Sequence, residues 1–369
     1  MRRLTCLDGL RGLLALYVLL SHILPFAAIP AGLAGVAGLL SHGGAAVDMF
    51  FALSGVVILH SLRRFQGHPG GFLQARVSRI FPVYLLAFAL ALLLRPLDYG
   101  LARMPWIGPD SPTHMLVSAG WPETTGMEIG LHLVMAHGLF PDAMLPHAWV
   151  RFLGAAWSLS TEWQFYVLAL LLSCWRVTER RMLGVFLLLA MAGMIWMTLG
   201  PVEWQFSRAF LPNKAQYFAL GIASVLLLAP GAERRAAWRV YLSVLAMVSV
   251  ISVAEGGIGK LAAPLLWTLC LGAELGVLAP LAAILRQRAL LWLGAISYPL
   301  YIAHEPIQKA LCVVLSALAD GDAALFSAIW LPASVLLPLL AAWGLHHWVE
   351  VPAVNWGRAL ATRSVRLPA

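Results

Sequence analysis

The chain has 369 residues, 61% of them hydrophobic and only 11% charged, with a formal net charge of +8 and a mean hydropathy of +0.82. A water-soluble domain is about 45–50% apolar and about 25% charged, so composition excludes an ordinary cytosolic enzyme, a disordered segment and a disulfide scaffold. It points to an all-α, polytopic integral membrane protein. The basic residues are dispersed between apolar runs instead of forming one patch, which argues against a nucleic-acid partner and for topology determinants.

At about 20 residues per span, the apolar runs 10–29, 44–62, 80–95, 156–175, 183–200, 212–229, 240–254, 261–285, 291–317 and 323–345 predict ten transmembrane helices. With a cytoplasmic amino terminus, all Lys and Arg residues except Arg95, Arg103, Arg151, Arg208, Lys214, Lys260 and Lys309 fall on the inner side, as positive-inside orientation requires. An even number of spans then puts both termini in the cytoplasm.

The first run follows Arg2 and Arg3 and mimics a secretory signal. It contains Arg11, however, and continues past His22 without a small-residue cleavage site, so a retained helix is expected. Arg11 and His22 are eleven residues apart, which places them on one helical face about 16 Å apart along the axis. Charges inside spans are costly and mark functional candidates; the bland alternatives are Arg11 snorkelling to headgroups and His22 bonding a neighbouring helix.

The second run begins GGAAVDMFFALSG and places Asp48 near its outer end. The loop after it carries Arg76 and Arg79, whose spacing of three points both guanidinium groups the same way on a helical turn. Paired arginines suit phosphates, since each donates two parallel hydrogen bonds; simple anchoring at the inner surface is the alternative. The outer connection 96–155 contains an apolar stretch, 128–145, expected to be re-entrant or interfacial, because a full span there would invert everything downstream. The fourth run begins AAWSLSTEWQFY and places Glu162 at a depth similar to His22 and Asp48. A histidine flanked by carboxylates suits a general base, although Asp48 and Glu162 near helix amino termini also satisfy dipole compensation.

Cys6, Cys174, Cys270 and Cys312 show no CxxC spacing and read as small apolar residues in packed helices. His60, His68, His114, His132, His137, His147, His346 and His347 read as structural or interfacial. His132 and His137, five apart, lie one residue too far for stacking on one helical face, and no metal site is expected. Trp106, Trp121 and Trp149 in the outer loop are candidate platforms for an acceptor.

LDGLRGLLALYVLLSH, VDMFFALSG, RVSRIFPVY, WSLSTEWQFY, LGAISYPLYIAHEP and HHWVEVP occur in this order. With them the chain resembles the membrane-bound acyltransferase family 3, over roughly residues 4 to 356. The resemblance implies a membrane acyltransferase domain over 1–356 with a basic cytoplasmic tail at 357–369. It implies transfer of an acyl group, commonly acetyl, from cytoplasmic acyl-coenzyme A to a hydroxyl of a carbohydrate, lipid-linked glycan or small molecule, often at the outer face of a bacterial inner membrane. Acyl-coenzyme A is then a donor substrate, with no bound cofactor or metal. By matching motif positions, His22, Asp48 and Glu162 take catalytic places and Arg11, Arg76 and Arg79 donor-binding ones. Trp157, Tyr298, Tyr301, His304 and Glu350 fall on further motif positions of acceptor-binding or structural character. Two positions depart from the pattern: Trp163 stands where a second glutamate is frequent, and Glu305 where an aromatic residue is usual, which suggests an effect on acceptor preference. No appended soluble domain is expected. The competing reading is a proton-coupled transporter using Arg11, His22, Asp48 and Glu162 as a relay, but no interrupted inverted repeat is evident.

Overall fold

The computed structural model describes residues 4–66, 68–108, 111, 121–229 and 233–366, with the side chains of 31 and 362–366 excepted. Arg2, Arg3 and His114 and the side chains of Arg363 and Arg366 therefore lie outside the described residues. The described chain is helical apart from turns and one antiparallel bridge between Pro141 and Phe206. In order, the helices are α1 (Thr5–Ile23), α2 (Ala34–Leu40), α3 (Gly43–Arg64), α4 (Pro69–Leu94), α5 (Thr125–Leu133), α6 (Trp157–Cys174) and α7 (Glu179–Leu199). They continue with α8 (Ala215–Leu228), α9 (Arg234–Gly256), α10 (Ala262–Glu274), α11 (Ala279–Leu285), α12 (Arg288–Ala319), α13 (Ala323–Leu345) and α14 (Val351–Arg366).

All ten apolar runs fall on helices, and the protein is an all-α polytopic membrane protein. Fewer than ten helices among the described residues have the length and hydropathy of a membrane span. Among the described residues seven are long and apolar enough, or eight if the pair α10–α11, bent by 94°, counts as one broken span. The two other runs fail for different reasons. α6 carries Glu162 and Gln164 in its first half, whereas α8 has only 14 residues, nearly all buried. α8 is enclosed by α3, α7 and α9, so its apolar character serves packing between helices. The loop expected to hold Arg76 and Arg79 is instead the first part of α4, which starts at Pro69; proline at the first helical position leaves no donor unsatisfied. The boundary expected at 357 falls inside α14, where Gly357 packs against Ser78 of α4.

Glycines allow close approach at two helix pairs. A methyl group on Gly12 of α1 would lie 2.6 Å from the backbone nitrogen of Gly294 on α12, and one on Gly55 of α3 2.6 Å from the carbonyl of Phe218 on α8. Helices in lipid gain little from burying apolar surface, so close backbone approach supplies the packing. The amino end of α1 is capped across the bundle, with Cys6 N–H donating to the Glu274 carboxylate at 2.8 Å.

The segment 128–145 does not span. α5 stops at Leu133, and Met135 takes φ +56°, reversing the chain. The reversal stacks His137 on His132 with ring centroids 4.0 Å apart, correcting the expectation from their spacing, which holds only for a continuing helix. The four cysteines are free thiols.

Candidate functional site

The carboxy end of α3, the amino-terminal half of α4 and α14 meet around a cavity of about 520 Å³. Arg11, Arg64, Arg76, Arg79 and Arg358 line it, with Glu162 opposite. The arginines differ in their partners. Arg79 is ion-paired with Glu350, whose carboxylate is fully buried and also meets His346 Nδ1 at 2.6 Å. Arg76 rests over the Phe72 ring, its centre 5.9 Å away, and its buried Nε has no hydrogen-bond partner. The neighbour of Arg64, Arg63, is spent on a bidentate pair with Glu179 at 2.5 and 2.6 Å. Glu162 accepts from Ser54 Oγ and from the Tyr166 hydroxyl, each at 2.7 Å. Tyr298 O–H donates to the Ile80 carbonyl at 2.5 Å, fastening α12 to α4 beside Arg79.

A second cavity of about 170 Å³ lies toward the other end of α1, lined by His22, Ser21, Trp157 and Arg208 among others. Val47 and Tyr301 line both cavities, so the two adjoin at these side chains. Tyr301 is held there by a hydrogen bond between its hydroxyl and Ser158 Oγ at 2.8 Å. His22 Nδ1 lies 3.2 Å from His304 Nε2, and His304 Nδ1 lies 3.2 Å from the Leu300 carbonyl. A carbonyl only accepts, so Nδ1 of a neutral His304 carries the proton and Nε2 offers a lone pair. The proton of His22 then sits on Nδ1, leaving Nε2 as its lone-pair nitrogen.

Neither carboxylate flanks His22. Asp48 is 1% exposed and pairs with Lys214 Nζ at 2.8 Å, toward α8. Asp48 and Ser54 are six residues apart, about 120° around α3, so Asp48 faces α8 while Ser54 meets Glu162 on α6. The chain therefore supplies a histidine where a carboxylate was expected. Glu305 is also explained locally: its two carboxylate oxygens accept from the backbone N–H groups of Gly154 and Ala155 at 2.8 and 2.7 Å. The extra charge in α12 caps the turn leading into α6, where negative charge is favoured, and does not line the His22 cavity.

Of the outer-loop tryptophans, Trp106 donates to Phe26 O and Trp121 packs on Phe152. Trp149 reaches the second cavity's rim through Arg208, whose guanidinium centre is 5.2 Å from its ring and 5.7 Å from that of Trp157. Sequence reasoning missed Arg64, Arg358 and Arg208 as lining residues because each satisfied an anchoring or loop role. Tyr166 was within reach, since i,i+4 spacing from Glu162 puts both on one face. Among the described residues, no group of three or more His, Cys, Asp or Glu is arranged to hold a metal ion.

The model of a family described as an acyltransferase domain matches residues 4–347. The chain belongs to this acyltransferase family. A curated relative described as "Protein 2 in picA locus" of Rhizobium radiobacter is 40% identical over 92 residues, covering 24% of this acyltransferase and 44% of the relative. The chain thus spans less than half the relative's length. No solved structure matches. Membership of this family favours acyl-transfer chemistry over the transporter reading of the intramembrane charges.

Proposed function

We propose that this membrane acyltransferase moves an acyl group, acetyl in the simplest case, from acyl-coenzyme A to a hydroxyl of a carbohydrate, lipid-linked glycan or small molecule. The observation that carries the reading is the pair of adjoining cavities, one rich in arginine and the other holding His22. Arg76, Arg64, Arg11 and Arg358 face the donor's phosphates from the cytoplasmic side of a bacterial inner membrane. The donor's flexible arm follows α1 over the roughly 16 Å between Arg11 and His22 and presents its thioester near Tyr301.

His304 fixes the His22 tautomer, so that Nε2 removes the proton of the acceptor hydroxyl as its oxygen attacks the thioester carbon. The carbon–sulfur bond breaks, and the proton on His22 passes to the departing thiolate, giving the ester and free coenzyme A. Glu162 offsets the arginines of the donor cavity instead of acting on His22.

Purified protein with labelled acetyl-coenzyme A and a polysaccharide or lipid-linked sugar tests this. His22→Ala is expected to abolish transfer while leaving donor binding in place. Intact transfer in that variant removes the mechanism.

A further inference from the structure

The second cavity holds a group that proton abstraction does not use. Arg208 is exposed at the rim, lies over Trp149 and Trp157, and has no carboxylate within ion-pair distance among the described residues. Its backbone is rigidly placed. The carbonyl of the adjacent Ala209 accepts from Thr161 Oγ1 at 3.0 Å and Gln164 Nε2 at 2.8 Å, and Leu211 N–H donates to Gln164 Oε1 at 2.9 Å. Asn213 Nδ2 bridges the carbonyls of Phe206 and Ser207. α6 therefore fixes the Arg208 turn and, through Trp157, one wall of the His22 cavity. Two indole faces restrict the guanidinium plane while its N–H donors stay unspent, an arrangement that matches a planar or tetrahedral anion.

We propose that the second cavity is the acceptor site and that Arg208 selects an anionic carbohydrate, one carrying a carboxylate or phosphate beside the hydroxyl to be acylated. The proposal deepens the reading of His22 as the base and rests on it. Arg208 holds the negative group, the hydroxyl faces His22, and the small, polar remainder of the cavity, with Ser21 and the glycine pair Gly43 and Gly44, admits a sugar-sized ring.

The test uses the full chain in lipid nanodiscs and follows carbethoxylation of His22 by diethyl pyrocarbonate, read by mass spectrometry with glucuronic acid, glucose 1-phosphate or glucose present. Charge-assisted hydrogen bonds are expected to make the protecting concentration of at least one anionic sugar about tenfold lower than that of glucose. Arg208→Ala should remove this difference, and Arg208→Lys should keep part of it. Protection by glucuronic acid alone assigns a carboxylate, and by glucose 1-phosphate alone a phosphate. Equal protection by all three sugars, no protection by either anion, or an unchanged preference in Arg208→Ala overturns the proposal. Transfer activity of His22→Ala is read separately, so loss of the base reading and loss of the acceptor assignment are distinguishable.

Discussion

Arg76 and Arg79 lie one helical turn apart and line the same cavity, yet they carry different electrostatic loads. Arg79 is matched by Glu350, whereas the Arg76 side chain has an orphaned buried nitrogen. Arg76→Ala is therefore expected to raise the donor's KM by about ten- to hundredfold, the worth of a charge-assisted hydrogen bond, with little change in thermal stability. Arg79→Ala should instead destabilise the protein by about 3 kcal/mol, because it strands a buried carboxylate; unfolding in detergent, followed by tryptophan fluorescence, measures it. His304→Phe should lower kcat on the order of a hundredfold with KM nearly constant. His304→Gln, able to donate to Leu300 and accept from His22, should recover part of that loss. Helical periodicity alone makes Arg11 and His22 legible as one face. It does not separate Arg76 from Arg79, since the partner that distinguishes them, Glu350, is some 270 residues away in the chain and reaches α4 only through tertiary packing.

At the scale of elements, the outer segment containing α5 depends on uncharged imidazoles. Burial lowers the His132 pKa from 6.5 to about 4, and burial together with the neighbouring His132 holds that of His137 well below 6.5. Glu128 and Arg151, paired at 3.0 Å, lie beside them. Both folded-state values are below the unfolded value, so the unfolded segment binds protons first and stability falls as pH drops from about 6.5 toward 4. Hydrogen exchange of residues 125–140 should accelerate over that range, and His137→Phe should flatten the profile. A second element-level expectation concerns the α1–α12 contact: Gly12→Val should cost about 1–3 kcal/mol through overpacking, seen as a lower unfolding temperature. Apolar run length was enough to place all ten runs on helices, but it passed over α2 and α14 and, by length and hydropathy, overcounted candidate crossings at α6 and α8. Hydropathy registers an apolar side chain without registering whether lipid or another helix covers it.

For the whole molecule, the proposed assignment of donor and acceptor to the two adjoining cavities makes their shared wall, Val47 and Tyr301, the place where the two would meet. Enlarging that wall by Tyr301→Trp should leave coenzyme A binding within about twofold while cutting acyl transfer by at least about a hundredfold, a split that titration calorimetry and a transfer assay would resolve together. Composition and arginine distribution were sufficient to read a polytopic bundle with one arginine-rich end. The shared wall was not legible, because Val47 and Tyr301 belong to helices separated by most of the sequence and neither carries a charge to draw attention.

Three partners of α1 lie late in the chain: Glu274 at a separation of 268 residues, His304 against His22 at 282, and Trp330, whose indole donates to Ile23, at 307. α1 is thus synthesised well before these three partners. During synthesis His22 is without its His304 partner until α12 has been made. A truncation ahead of α10 would strip α1 of all three contacts and should leave its polar face open to membrane proteases.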